Sequence, residues 1–398
     1  MSPTQLQEAV RARGGDSRDA RTCPAVLVLG MHRSGTSLLA RVVNLCGVPT
    51  DPPELLMLAS RDNERGYWEP QYLAEINDAI LAAHGSIWCD PPLEGVSGGG
   101  IPPALEARMR AAVARWCEAG TSWMWKDPRM PITLPVWRPL MSEIVALLSV
   151  RNPLDVWHSL YRRDGFPKAA AFLLWEIHTR SALKTTTDAS RLVVHYEDLM
   201  DQPRRTVDSI IAFLKSAGAV FEPPPSLDEA YAECVGALRH HQHTAEEFFA
   251  DAEASESQKA LYRHLLDAAN QDPTPLKVSL STGPNVAREL LADLRRRCEE
   301  AEYRRLEERR YLTLDEKLAQ LSSVVADIRL CAARVDGDVR KLASRLDYLE
   351  ARFTNVLLAV QSEGSSVNSS SPLLDGPTTE TTLDGATATM DNGEIVLP

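Results

Sequence analysis

No apolar run in the 398 residues approaches the ~20 that a membrane-spanning helix requires. A transmembrane segment is therefore not expected. Positive charge is also in short supply. The chain carries 43 Lys and Arg against 55 Asp and Glu, a net of −12, which is the reverse of the balance of a nucleic-acid binder. Its seven cysteines, at 23, 46, 89, 117, 234, 298 and 331, are scattered, odd in number and without a Cys-x-x-Cys pair. That pattern argues against a disulfide scaffold or a zinc site and fits a reducing compartment. The first residues are charged and contain glycine, with no apolar signal-peptide core. A cytoplasmic location is the expectation. What the chain does have is 44% hydrophobic and 25% charged residues, enough for a sizeable core and too apolar for disorder throughout.

The composition shifts along the chain and marks four segments. Residues 1–22 are polar and rich in Arg and Gly, a loose leader. From 23 to 284 short apolar runs alternate with helical patterns. Ala25–Leu29, Val145–Val150 and Leu192–His195 read as buried strands. Helical patterns fall at 36–46, 106–117, 153–163, 169–184 and 204–215. Such alternation predicts an α/β fold, a parallel sheet flanked by helices. Residues 216–284 contain Pro223-Pro224-Pro225 and no clear strand, and are expected to complete the domain with helices.

Residues 285–361 differ, with 15 basic and 14 acidic groups, no proline and one glycine, Gly337. From Leu314 to Val360 apolar residues step by alternating four and three, passing through Leu321, Ile328, Leu342, Leu349 and Phe353. This a/d seam predicts a long coiled-coil stalk and self-association. Residues 362–398 hold six acids and no Lys or Arg, the composition of a disordered acidic tail.

The segment with most chemical content is Val26-Leu27-Val28-Leu29-Gly30-Met31-His32-Arg33-Ser34-Gly35-Thr36-Ser37. An apolar strand runs into Gly-x4-Gly-Thr-Ser and then into an apolar helix. Glycines let the backbone approach an anion, and the first N–H groups of a helix point at it. A Walker loop would have Lys where Thr36 stands. Here the cation has moved into the loop as Arg33. A plain glycine turn joining strand to helix is the bland alternative.

At these residues the chain resembles the sulfotransferases, whose 5′-phosphosulfate loop commonly reads Arg/Lys-x-Gly-Thr-Ser/Thr after the first strand. Two further stretches carry the resemblance. Arg151 follows an apolar strand and Ser159 lies eight positions on, the spacing of the family's 3′-phosphate site. Leu192–Leu199, which reads Leu-Val-Val-His-Tyr-Glu-Asp-Leu, resembles the family's strand ending in Tyr-Glu-Asp-Leu, whose tyrosine in some members lies near adenine. The three matches occur in the family's order. The resemblance implies a P-loop-type parallel sheet and the donor 3′-phosphoadenosine 5′-phosphosulfate (PAPS). The implied donor ligands are Arg33, Ser34, Gly35, Thr36, Ser37, Arg151, Ser159 and Tyr196.

Sulfuryl transfer needs positioned reactants, cations for the charge growing on the bridge oxygen, and a base for the acceptor proton. Arg33 is one cation. Lys126, in Trp125-Lys126-Asp127-Pro128, is the second; the stretch is similar to one in tyrosylprotein sulfotransferases, where the Lys faces the sulfuryl group. It could instead be a surface Lys in a turn. Arg129 would bind an acidic acceptor or serve as an ion-pair residue. Pro128 stands where cytosolic members place a catalytic His, so that pattern fails. The bases left are Glu69, in a Gly-Tyr-Trp-Glu stretch that resembles bacterial members, and Glu54, at near the tyrosylprotein-type spacing. Glu69 is preferred, with a helix N-terminal role as its alternative. Tyr67 and Trp68 would stack on a sugar or adenine, or belong to the core. Arg239-His240-His241-Gln242-His243 lacks metal-site spacing. No metal is called for, because Arg and Lys supply the charge.

The combined expectation is a PAPS-dependent O-sulfotransferase. Its acceptor would be a hydroxyl, of a carbohydrate or glycolipid first and a small molecule second. The rivals are a P-loop kinase or NTPase, disfavoured by the missing Walker Lys, and a coiled-coil scaffold with a relic nucleotide-binding domain.

Overall fold

The computed structural model describes residues 23–59, 63, 66–93, 95–117, 120–235, 243–268, 284–332 and 339–366. The leader at 1–22, the Arg239–Gln242 stretch, Gly337 and the tail beyond 366 lie outside the described residues. The chain divides into two compact units, Met1–Leu306 and Glu307–Pro398.

The first unit is built on four parallel strands: β1 (Ala25–Leu29), β2 (Met124–Lys126), β3 (Ile144–Val150) and β4 (Ser190–His195), in the order β2-β1-β3-β4. Every residue of β1, β2 and β3 is buried. That explains their continuous apolar runs, since both faces of a parallel sheet are covered. Side chains of a strand alternate between faces, and the core divides accordingly. Leu27, Leu29, Trp125, Ala146 and Leu148 belong to one cluster, while Val26, Val28, Met124, Val145 and Leu147 belong to the other.

Helices α1 (Thr36–Leu45), α8 (Pro203–Ser216) and α9 (Asp228–Val235) supply the second cluster. The first draws on α2 (Gln71–Ala83), α3 (Pro103–Cys117), α4 (Met130–Trp137), α5 (Pro153–Asp164) and α6 (Lys168–Thr185). After β4 comes the short α7 (Tyr196–Asp201). The segment after Pro225 is helical where described: α9, α10 (Ala245–Ala250) and α11 (Glu256–Asp267).

Helix α12 (Pro284–Ala332) begins in the first unit. Ala287, Leu291 and Leu294, spaced four and three apart, are each no more than 1% exposed and join the main core. Arg295 pairs with Asp90 at 2.7 Å and donates to the Gly85 carbonyl at 2.7 Å. The stalk assigned to 285–361 thus shares its first turns with the globular unit. Those turns carry a weak heptad seam because their apolar residues serve the domain core.

In the second unit, α13 (Val339–Ser366) leaves Leu342, Leu349, Phe353, Val356 and Val360 exposed. These are seam positions. A coiled coil would cover them. Among the described residues no helix is long and apolar enough to cross a membrane.

Leu291 tests the reassignment of the first α12 turns. Truncating a buried leucine costs ~2–5 kcal/mol. Leu291→Ala is expected to lower the stability of the first unit by that amount in urea unfolding. A loss below ~0.5 kcal/mol would mean that α12 is not part of its core.

Candidate active site

The carboxyl ends of all four strands deliver a candidate residue. β1 leads into the Arg33–Ser37 loop, β2 ends on Lys126, β3 is followed by Arg151, and β4 is followed by Tyr196. β1 has β2 on one side and β3 on the other. Its chain exits toward α1, so the strand order switches there, and open α/β sheets place their ligand crevices at such a point.

The loop is held open by two glycines. Gly35 has φ +86°, and a Cβ there would collide with the Tyr196 ring. Gly30 has φ +155°, and a Cβ there would lie 2.6 Å from the Ser149 carbonyl oxygen. Arg33 itself has φ +69°, a conformation that L residues adopt at a cost and that clusters at functional sites. Gly35 precedes α1 as its N-cap, and no side chain caps the helix. The first N–H groups of α1 are therefore available to an anion.

Four of the expected donor ligands are in direct contact. Arg33 Nε donates to Ser159 Oγ at 2.7 Å, across 126 residues of sequence. Arg151 Nη1 donates to the Arg33 carbonyl at 3.3 Å, and its guanidinium lies 4.4 Å from the centre of the Tyr196 ring. Ser149 Oγ donates to the Ser34 carbonyl at 2.8 Å. Asn152 caps α5 by accepting from Leu154 N, and Pro153 occupies its first turn. Ser159 is thereby carried two turns along α5, on the side facing the loop.

Lys126 is buried, 2% exposed, so the surface-turn alternative does not apply. Its ammonium donates to Glu69 Oε1, to the Tyr67 carbonyl at 2.9 Å and to Ser37 Oγ at 3.2 Å. Ser37 Oγ donates in turn to the Tyr67 carbonyl at 3.1 Å. Arg129 completes the cluster. It reaches Glu69 Oε2 at 3.8 Å, Asp127 at 3.1 Å and Asp78 at 2.5 Å. Burial opposes the Arg129 charge, but Asp127, Asp78 and Glu69 outweigh it and hold the guanidinium protonated. The Glu69 carboxyl is pushed above its ordinary range, chiefly by burial, against the pull of Lys126 and Arg129. Glu54 is placed differently. It is exposed in the 3-10 turn Pro53–Leu55, and among the described residues it makes no hydrogen bond or ion pair. Trp68 faces the core side, where Arg41 lies 4.8 Å from the centre of its ring. Tyr67 contributes its carbonyl to the cluster.

Several neighbours were not legible from sequence. His32 packs against Trp88 in a tilted ring contact with centres 4.3 Å apart, and its Nε2 is buried without a hydrogen-bond partner. Burial, with Arg129 and Arg163 nearby, holds this imidazole neutral. Asp155, one turn after Arg151, is fully buried. It accepts from the His243 backbone N–H at 3.1 Å, contacts His243 Nδ1 at 2.6 Å and lies 3.8 Å from Arg151 Nε. The only sequence signal for Asp155 is its i,i+4 position relative to Arg151.

No family model and no curated protein matches the chain. Among solved structures it is similar to the sulfotransferase domain of the Synechococcus PCC 7002 olefin synthase, at 18% identity and TM-score 0.31, over 70% of this chain and 96% of that one. It is also similar to the sulfotransferase domain of the curacin biosynthetic pathway, at 15% identity and TM-score 0.33, over 69% and 98%. A third similar structure is the sulfotransferase STF9 from Mycobacterium avium, at 13% identity and TM-score 0.35, over 67% and 81%. Overlap this loose fixes neither residue roles nor a reaction. Those must come from the chain's own geometry.

The Lys126–Glu69 pair can be tested alone. Removing one partner of a buried ion pair costs ~3–5 kcal/mol, because the other is left charged and unpaired. Lys126→Ala is expected to destabilise by that amount. Adding Glu69→Gln to it should recover a substantial part. Additive losses in a urea-unfolding double-mutant cycle would show that the two side chains are not coupled.

Proposed function

We propose that this chain transfers a sulfuryl group from PAPS to a hydroxyl acceptor, with a carbohydrate or glycolipid as the acceptor class. The observation that carries this reading is the Arg33–Ser159–Arg151 connection. It joins the phosphosulfate-type loop to the 3′-phosphate-type pair, two motifs that sequence could only match separately. A nucleotide with a phosphate at each end of its ribose suits two adjacent cation sites. A triphosphate chain would want the lysine that Thr36 replaces.

On this reading the roles are as follows. The N–H groups at Gly35–Ser37 and the Arg33 guanidinium bind the 5′-phosphosulfate. Arg151 and Ser159 bind the 3′-phosphate, and Tyr196 supports the adenine side. Lys126 neutralises charge on the bridge oxygen as the S–O bond breaks. Glu69 accepts the acceptor's proton. In the structure Lys126 and Glu69 hold each other, so both are positioned at one place before substrate arrives. Lys126 shifting toward the donor would release the Glu69 carboxylate to the incoming hydroxyl. The α13 seam supports self-association of the chain as part of the same proposal.

Adenosine 3′,5′-bisphosphate, the desulfated product, tests donor binding without any acceptor. It should raise the melting temperature of the protein. Arg33→Ala and Arg151→Ala should each weaken its binding ~10- to 100-fold, the worth of a lost charge-assisted hydrogen bond. No thermal response at saturating bisphosphate, with a response to magnesium-ATP instead, would favour a kinase or NTPase.

The base has its own signature. A Glu69 carboxyl pushed upward by burial is protonated, and so inactive, at pH values where an ordinary glutamate is already ionised. Activity should therefore rise with pH through a limb centred above the usual ~4.3 of glutamate. Glu69→Gln should lose ~10²–10⁴-fold in kcat and abolish that limb. A limb that persists in the variant assigns the base elsewhere.

A further inference from the structure

Two thiols 209 residues apart in sequence meet in the first unit. Cys89 lies in the turn after α2, next to the Ile87–Asp90 bridge, and is fully buried. Cys298 lies on α12, one turn after Leu294, and is partly exposed. Their Sγ atoms are 2.6 Å apart. The surrounding contacts hold them in place. Leu291 and Leu294 sit in the core, the Leu294 carbonyl is 3.8 Å from Cys89 Sγ, and Arg295 pairs with Asp90. The scatter of cysteines in the sequence gives no hint of this meeting.

We propose that Cys89 and Cys298 are a reversible disulfide site that fastens the start of α12 to the turn after α2 when the chain meets a hydroperoxide. The exposed thiol meets the oxidant first. Cys298 attacks the peroxide O–O bond, becoming a sulfenic acid and releasing water. Cys89 sulfur then attacks Cys298 sulfur, the S–S bond forms, and hydroxide leaves and takes the Cys89 proton. The balance is two thiols and one hydrogen peroxide giving one disulfide and two waters. A dithiol returns two electrons and two protons and restores both thiols.

The order of attack follows from the surroundings. The hydrogen bond to Cys298 and burial both push the Cys89 thiol up, so it stays protonated and acts as the resolving partner. Cys46 and Cys234 are fully buried, and burial pushes their thiols up to about 12 and about 11. They are poor targets for the same oxidant. The turn that carries Cys89 also carries Trp88, whose ring contacts His32 of the loop. The bond would therefore form next to one wall of the candidate active site, yet it does not depend on the sulfotransferase reading.

The full chain, reduced and desalted, is treated with equimolar hydrogen peroxide, alkylated, and digested without reductant. Mass spectrometry is expected to find the Cys89 and Cys298 peptides joined with the loss of two hydrogens. Dithiothreitol should separate them. The oxidised chain should melt ~5–10 °C higher, the effect of closing a long loop in the unfolded state. Cys298→Ser, a substitution at a partly exposed position, should show neither the linked peptides nor the peroxide-induced rise. Recovery of Cys89 fully alkylated after peroxide treatment would overturn the proposal, whether Cys298 is found alkylated or oxidised to sulfinic acid. Linkage of either cysteine to another partner would overturn it too.

Discussion

An ammonium group cannot leave water unless an anion goes with it. Lys126 is almost completely buried, so Glu69 must sit beside it. Much of the site follows from this single requirement. Lys126 ends β2, and its register opposite Val28 fixes its height just below the loop that follows β1. Glu69 ends a segment that has little regular structure of its own. Trp68 even adopts φ +58° there. The ion pair, the Tyr67 carbonyl bonded to Lys126 and Ser37, and the Met57 N–H bonded to the Glu69 carbonyl keep that segment against the sheet. Arg129 closes the cluster from the start of α4 and ties it to α2 through Asp78.

The sheet order does the rest of the positioning. Parallel strands send all their exits to one edge, and the switch at β1 puts the exits of β1 and β3 next to each other with helices leaving them. Arg33 and Arg151, remote in sequence, become neighbours for that reason. The backbone cost of Arg33 at positive φ is tolerated because the surrounding contacts over-determine it. Ser159 holds its guanidinium, Arg151 holds its carbonyl, and Ser149 holds the next carbonyl.

The strands and most helices were legible because local signals and fold agreed. Five or six consecutive apolar residues ending at glycine or arginine could only be buried strands, and Asn152-Pro153 opens a helix by its own capping chemistry. The loop was legible because its glycines, cation and helix start lie within a few residues of each other. What was not legible depended on long-range packing. Glu54 and Glu69 had similar claims by spacing. Only the strand register that brings Lys126 to Glu69 separates them. The contacts of His32 with Trp88 and of Cys89 with Cys298 carry no local signature, and Asp155 offers only its i,i+4 place relative to Arg151. The first turns of α12 looked like stalk because charge dominates their composition. Three buried apolar positions, about one per turn, were enough to make them core.

Net charge illustrates the same division between sum and placement. Residues 1–284 carry 28 basic and 35 acidic groups, an unpromising balance for a polyanionic ligand. Yet a field inside a cleft is set by the nearest charges in a poorly screened medium, not by the total. At the strand ends Lys126, Arg129 and Arg151 stand among Glu69, Asp127, Asp78 and Asp155. These carboxylates orient the three cations without a ligand, and Asp127, Asp78 and Glu69 hold Arg129 charged. An arriving anion would then exchange for a carboxylate contact instead of having to order a free side chain. Such preorganisation lowers the cost of binding charge in a buried place. It explains how an acidic chain can hold oriented cations at one edge of its sheet.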